Sequence, residues 1–491
     1  MKKTLSAILA LLMLLSLVTV FASCGKTEND NTDTAAVAQT TAAAEETTEP
    51  EYVPDDIPDS LKFPDGTVFN VLCDDQQFQY SFLEDEGDGG LLDSAIFSRQ
   101  VGIEERLNMK FSFIRKAGAY DGAANFTNAV IAASRSGNHD YDLVLAYNMT
   151  PAMMANKGLL YDLNDSSSYV NFDKPWWGKG AYQSIAVNDK VYFMTDNASY
   201  NTIKNMLAVY INIDLASAYN IDVNTLYKLV DEGKWTMEQM FTMVADVYED
   251  TDKVDGKTAG DTYGLCSGNG VWNEGWYYAA GFITTKVKSA DEYEFTLSSQ
   301  ETVDFLDWFN SKFHNLQGVY KSDPSQYQMF KENRAMFYLS AIAITRQDIN
   351  FEYSAIPMPK YNEDQQSYCT HFSNTYDVWA VPNDAVDPAM STAVLEALAS
   401  GAYRTVCPAY YEQYLKLRKS VDSDASRMYD IIRESIVFDF GNMYGLCFSN
   451  QNTNLQVRRY INNGDQGWTS TWKAYETQYK KDIEKLLDKI S

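Results

Sequence analysis

The residues best suited to chemistry in this chain are aromatic rings set beside amides and carboxylates. From Gly270 to Tyr278 the sequence reads Gly-Val-Trp-Asn-Glu-Gly-Trp-Tyr-Tyr, which places Trp272 and Trp276 around Asn273 and Glu274. Aromatic faces stack on apolar C–H surface, and amide or carboxylate groups hydrogen-bond to hydroxyls. That combination suits a small ligand rich in hydroxyls. The competing reading makes Trp276 and Tyr277 core anchors. Trp177 follows Pro175 and Trp176 and precedes Gly178, so one indole is expected at the surface while the other packs inward. Tyr376 and Trp379 flank Asp377, and strand alternation puts Asp377 and Trp379 on one side, a ring beside a hydroxyl acceptor. Arg346 ends an uncharged run and either reaches a ligand from a lobe edge or forms a surface salt bridge.

The chemistry that is missing narrows the field. The three histidines, His139, His314 and His371, are too widely spaced for a zinc site. Neither a G-x-S-x-G elbow nor a phosphate-binding Gly-rich loop occurs. Carboxylate pairs carry no weight among 67 acidic residues. The stretch Asp250, Asp252, Asp255, Gly256, Asp261 departs from a calcium loop, because Val254 and Asp255 stand where an acid and a glycine are required. It reads as a solvated acidic turn. No catalytic residue, cofactor or metal is expected.

The elements that must position these side chains follow from hydrophobic periodicity. Residues 67–73 form a short apolar, β-rich run and predict a buried strand. Helical spacing over 93–107, a strand at 109–114, a helix over 125–136, a strand at 141–146 and a helix from Thr150 follow in order. Such alternation predicts a parallel sheet with helices on its faces. Ligands of open α/β sheets sit beyond the carboxyl ends of the strands. That rule points to the loop holding Asp74, Asp75, Gln76, Gln77, Phe78 and Tyr80, to the loop opening with Tyr147 and Asn148, and to the segment near Arg346. Later strands are predicted at 191–194, 206–211, 335–339, 353–356 and 377–381, with 196–205 crossing between lobes. Helices are predicted at 224–233, 236–248 and 299–313, and from Asp387 as cap with Pro388 in the first turn.

The amino-terminal end reads as targeting. Lys2 and Lys3 precede an apolar run that ends at Phe21-Ala22-Ser23-Cys24, so residues 1–23 form a lipoprotein signal peptide and Cys24 is the lipidation site. Residues 24–60 are too polar to bury themselves and are expected to be a disordered acidic linker, spanning roughly 30 Å as a coil. No later run is apolar enough to span a bilayer. The net charge of −27 repels nucleic acid and anionic lipid, so neither is an expected partner. The five cysteines after Cys24 are odd in number and widely spaced, so no disulfide framework is evident.

Several segments together resemble the extracellular solute-binding proteins of sugar-type ABC importers. They are the lipoprotein signal and linker, the strand at 67–73, and the run Asp140-Tyr141-Asp142-Leu143-Val144. Further on come Gly158-Leu159-Leu160-Tyr161-Asp162-Leu163, Ala208-Val209-Tyr210-Ile211-Asn212, Lys234-Trp235-Thr236-Met237-Glu238 and Asn333-Arg334-Ala335-Met336-Phe337. The likeness covers about residues 64 to 450. It implies an α/β, two-lobe, periplasmic-binding-protein-like (type II-like) fold, each lobe a sheet flanked by helices, with the ligand in the cleft between. The expected lobes are 61–200 with 346–385, and 201–345 with 386–491. The resemblance implies a monomer, lipid-anchored outside the cell membrane, that captures a mono- or oligosaccharide and delivers it to an ABC permease. The ligand side chains expected are Phe78, Tyr147, Asn148, Trp177, Trp272, Glu274, Trp276, Arg346, Asp377 and Trp379. Two rival readings are a surface carbohydrate-binding adhesin uncoupled from transport and a glycoside hydrolase.

Overall fold

The computed structural model describes residues 52–87, 89–195, 199–321, 325–343, 349–373, 375–416, 422–450 and 452–491. The signal peptide, Cys24, the linker up to residue 51 and Arg346 lie outside the described residues.

Two sheets organise the chain. In the first, β1 (Thr67–Asp74), β2 (Met109–Lys116) and β3 (Leu143–Tyr147) run parallel, and β12 (Asp377–Ala380) joins antiparallel in the order β12-β3-β1-β2. Every residue of β3 is buried, which is why Leu-Val-Leu-Ala-Tyr shows no alternation. The helices Leu91–Leu107 and Ala123–Ser136 end on Asn108 and Gly137 in the left-handed conformation. The second sheet has the order β11-β4-β10-β6-β5: β11 is Tyr353–Ile356, β4 Leu207–Asn212, β10 Ala335–Ala341, β6 Thr262–Ser267 and β5 Tyr248–Glu249. A short β9 (Val319–Lys321) also pairs with β6, and β7 (Thr285–Ser289) with β8 (Glu292–Phe295) forms a hairpin.

Two expected lobe boundaries change. β11 pairs with β4 in the second sheet, so the chain returns to the first sheet between Ile356 and Asp377 and not at 346. The carboxyl-terminal helices do not all serve the second lobe either. The helix Pro388–Arg404, capped by Asp387 with Pro388 in its first turn, packs against Leu91–Leu107 of the first. Ser423–Glu434 packs on β11, Thr453–Asn463 on the helix Val271–Ala279, and Trp468–Ile490 on Gln300–Phe313.

Between the sheets, three segments lie side by side. Met206 pairs with Phe372 antiparallel, and Thr370 with Ile436 in parallel. Amides and hydroxyls bond along this seam, beside the buried rings of Phe372, Tyr376 and Phe438. Asn201 Nδ2 donates to Gln77 Oε1 at 2.6 Å and to the Thr375 carbonyl at 2.9 Å, and Asn205 Oδ1 accepts from Thr375 Oγ1 at 2.8 Å.

The linker boundary also moves. Residues 52–57 are a strap docked on the first lobe, because their acids find cations there. Asp55 takes Arg106 at 2.7 and 2.9 Å and Arg404 at 3.1 Å; Asp56 takes Lys174 at 2.6 Å. Burial would raise the Asp55 carboxyl, but Arg106 and Arg404 hold it down at about 2.

Beneath the strap lies Glu396, fully buried without a paired cation. The Trp176 and Trp177 indoles donate to its two oxygens at 3.0 and 2.7 Å. Burial lifts its carboxyl from 4.5 to about 7 against the hydrogen bonds from Trp177, Asn171 and Trp176. The folded protein therefore holds a proton that the unfolded chain releases at lower pH. The stability tied to that proton is complete below about pH 4.5 and is lost as pH rises through about 7. In denaturant unfolding between pH 5 and 8, the wild type should lose roughly 2 to 3 kcal/mol more than Glu396→Gln. Equal losses in both proteins would place the titration elsewhere.

Candidate ligand-binding cleft

The carboxyl ends of β1 and β3 bring Asp74, Tyr147 and Asn148 to one edge of the first sheet. Asp74 is buried. Its Oδ1 accepts from the Gln76 and Gly118 amides at 3.1 and 3.2 Å, while Oδ2 has no hydrogen-bond partner. Burial raises this carboxyl. Asn148 turns its Nδ2 to Asn442 Oδ1 at 3.4 Å, and its own Oδ1 is unpartnered.

Facing this edge, the helix Val271–Ala279 starts after β6 and carries Glu274 in its first turn, with no solvent exposure. Arg458 donates to Glu274 Oε2 from both Nε and Nη2, at 2.9 and 2.8 Å. Glu274 Oε1 has no hydrogen bond; His371 Nε2 stands 3.6 Å away. Burial works to raise the Glu274 carboxyl, yet the Arg458 charge and His371 pull it below the ordinary value, so it is ionised. The His371 ring stacks on Tyr278 with centroids 3.7 Å apart, and Tyr278 donates to Asp439 at 2.8 Å. Asn442 Nδ2 reaches His371 Nε2 at 3.4 Å. Polar contacts thus run from Asn148 on the first sheet to Asn442 and His371, whose Nε2 stands beside the Glu274–Arg458 pair of the second lobe. Burial raises the Tyr147 phenol, and the Arg458 charge opposes that rise across the lobe boundary.

Of the side chains singled out from sequence, Tyr147, Asn148 and Glu274 meet at this boundary, and Trp272 sits half-buried at the start of the same helix. The others have structural surroundings. Trp276 is fully buried among Phe241, Phe309 and Phe313, with centroids 5.4 to 6.2 Å away, so the core reading holds for it. Trp177 is spent on Glu396, and both indoles of its pair are buried, so neither reaches the surface. Asp377 and Trp379 do share one face of β12, but it is the covered face. Asp377 accepts from Ser199 at 2.8 Å and Ser81 at 3.2 Å, and Trp379 packs edge-on against Phe82 at 5.8 Å. Phe78 packs on Phe113 at 5.0 Å under the Arg115 guanidinium.

Sequence reasoning missed His371, Asn442, Arg458 and Asn454. His371 was weighed only as a metal ligand. Asn454 and Arg458 lie four residues apart on one helix face, a polar i, i+4 pair that could have flagged a buried polar contact. Elsewhere, Asp250, Asp252 and Asp261 bring oxygens within 4.8 Å of one another. There Asp261 and Asp252 accept backbone hydrogen bonds that fold the turn. The five cysteines carry free thiols.

The two tryptophans of the 272–276 stretch should separate cleanly in denaturant unfolding. Trp276→Ala should cost about 3 to 5 kcal/mol, as for a buried aromatic truncated to a cavity. Trp272→Ala should cost less than about 1 kcal/mol. Comparable losses in both would put Trp272 in the core as well.

No family model and no curated protein matches the sequence. Solved structures do. A cyclo/maltodextrin-binding protein complexed with maltotetraose superposes with a TM-score of 0.56 at 15% identity, over 86% of this chain and 98% of the other. An ABC substrate-binding protein of Listeria monocytogenes in complex with cycloalternan gives 0.52 at 16%, over 85% and 99%. A Mycobacterium tuberculosis protein, UgpB, in complex with glycerophosphocholine gives 0.52 at 14%, over 80% and 95%. Such likeness at low identity speaks for architecture, and the chain has the two-lobe fold of the ABC-importer solute-binding proteins.

Proposed function

We propose that this chain is an extracytoplasmic solute-binding lipoprotein. It captures a mono- or oligosaccharide between its lobes and delivers it to an ABC permease, with Cys24 as the lipid attachment and residues 25–51 as tether. The observation that carries the reading is the run of polar contacts joining both lobes at the strand ends, beside a three-segment seam between the sheets. A hinge at such a seam lets lobes close on a ligand, and closure is what a transporter can sense. The solved structures that share the fold and bind saccharides support the choice of ligand. That those structures are binding proteins, with no catalytic constellation in this sequence, supports capture without turnover. Among the described residues no helix is long and apolar enough to cross a membrane, consistent with a folded body attached through its amino terminus.

Residues 52–491 should be screened by thermal shift against mono- and oligosaccharides, amino acids and peptides. A saccharide at a hundredfold its dissociation constant should stabilise the fold by about 2.7 kcal/mol, without being consumed. Asn148→Ala should weaken that saccharide by about 1 to 3 kcal/mol. A response confined to amino acids or peptides would replace the saccharide, and consumption of the sugar would make the protein an enzyme.

A further inference from the structure

Among the described residues, a concavity of about 270 Å³ opens at the seam between the sheets, apart from the strand ends. Its walls come from both lobes. Tyr403 belongs to the helix Pro388–Arg404, which packs on Leu91–Leu107 of the first lobe. Arg433 and Glu434 belong to the helix Ser423–Glu434, which packs on β11 of the second sheet. Ile203, in the short helix Asn201–Lys204, and Ile436, which pairs with Thr370, line it from the seam itself. Phe438 adds a buried ring, 5.0 Å from that of Phe372.

The cation in this wall is uncommitted. Arg433 is half-buried, with its guanidinium carbon 4.6 Å from the Tyr411 ring centroid. That contact covers one face of the guanidinium plane and uses none of its N–H donors. Asp430, one turn earlier, is already taken by Tyr411 at 3.0 Å and Lys416 at 3.1 Å. Among the described residues, Arg433 therefore makes no ion pair and no hydrogen bond. Glu434 also lines the concavity, but it is exposed, so water and salt screen its charge. Arg433 acts from beside apolar walls, where the effective dielectric is lower, so the local pull is on an anion. A carboxylate matches a guanidinium by two parallel N–H···O bonds. The apolar walls suit an apolar body, and the volume falls below the roughly 300 to 1,000 Å³ of drug-sized pockets, room for one ring or a short chain.

We propose that this concavity is a second binding site, for a small carboxylate with an apolar body. Arg433 takes the carboxylate, and Ile203, Ile436 and Phe438 receive the body. The inference stands apart from the saccharide reading, and its occupant touches segments of both lobes.

The probes are benzoate, benzamide and benzylamine, one ring bearing an anion, a neutral amide and a cation, titrated into the protein and followed by NMR of the probe. Benzoate should bind at least about tenfold more tightly than the other two. Equal binding of the three, tighter benzylamine, or no benzoate binding up to about 10 mM overturns the proposal. Arg433→Gln should cost benzoate at least about tenfold and leave benzamide within about threefold; undiminished benzoate binding there overturns it. Gly180→Leu tests the place. A Cβ added at Gly180 stands 3.9 Å from the Ile436 carbonyl oxygen and 3.9 Å from Phe438 Cδ2, ordinary contact, so a side chain can enter the concavity there. That variant should lose benzoate and benzamide alike, and benzoate binding kept in it puts the site elsewhere and overturns the proposal. Circular dichroism checks that both variants fold; if one does not, the wild-type comparison and the other variant decide.

Discussion

An ionised carboxylate sealed from water must be matched by a cation, and at Glu274 that requirement shapes the second lobe. The match comes from Arg458, 184 residues further along the chain. A lone buried charge at this place would cost about 3 to 5 kcal/mol, a large part of what holds a typical domain folded. The helix carrying Arg458 is therefore obliged to lie along Val271–Ala279, and Asn273 to Asn462 at 2.6 Å repeats the contact one turn on. The last helix follows from this placement. Trp468 donates to the Leu297 carbonyl at 2.7 Å, and Trp472 stacks on Tyr479 at 5.4 Å, closing the lobe.

The seam between the lobes answers a different constraint. Segments that leave one sheet for the other must have their backbone groups satisfied on the way. Here Asn201 and Asn205 donate to the Thr375 and Asn201 carbonyls, and Ser373 and Thr375 donate to the Asn205 amide oxygen, beside the buried rings of Phe372, Tyr376 and Phe438. The hydrophobic load is carried on either side, by Phe78, Phe82 and Phe113 in the first lobe and by Phe241, Trp276 and Phe309 in the second.

The strand–helix order, the parallel first sheet and the Asp387 cap were legible because each rests on local periodicity or on one residue type at one position. Two-sidedness was not. Strands buried on both faces carry no alternation, so Asp377 and Trp379 could be placed on a common face but not on the cleft face rather than the covered one. The aromatic stretch 272–276 shows the same limit within a single helix. Trp272 and Trp276 differ in surroundings only because Phe241, Phe309 and Phe313 arrive from elsewhere in the chain. Pairs such as Glu274 with Arg458, or Asp55 with Arg106 and Arg404, depend on distant chain segments meeting, and composition around either partner does not announce them. The acids of residues 52–57 looked like linker for that reason.

The strap also has a mechanical consequence. Asp55 and Asp56 are fastened to Arg106, Arg404 and Lys174, and Arg404 and Lys174 also grip the carbonyls of Val53 and Pro54. All of these cations belong to the first lobe's own helices and loops. Tension on the chain upstream of Tyr52 is thus delivered to one half of the molecule, across several ion pairs acting together. The second lobe takes no part in these ion pairs, so a pull on the strap reaches it only through the seam between the sheets.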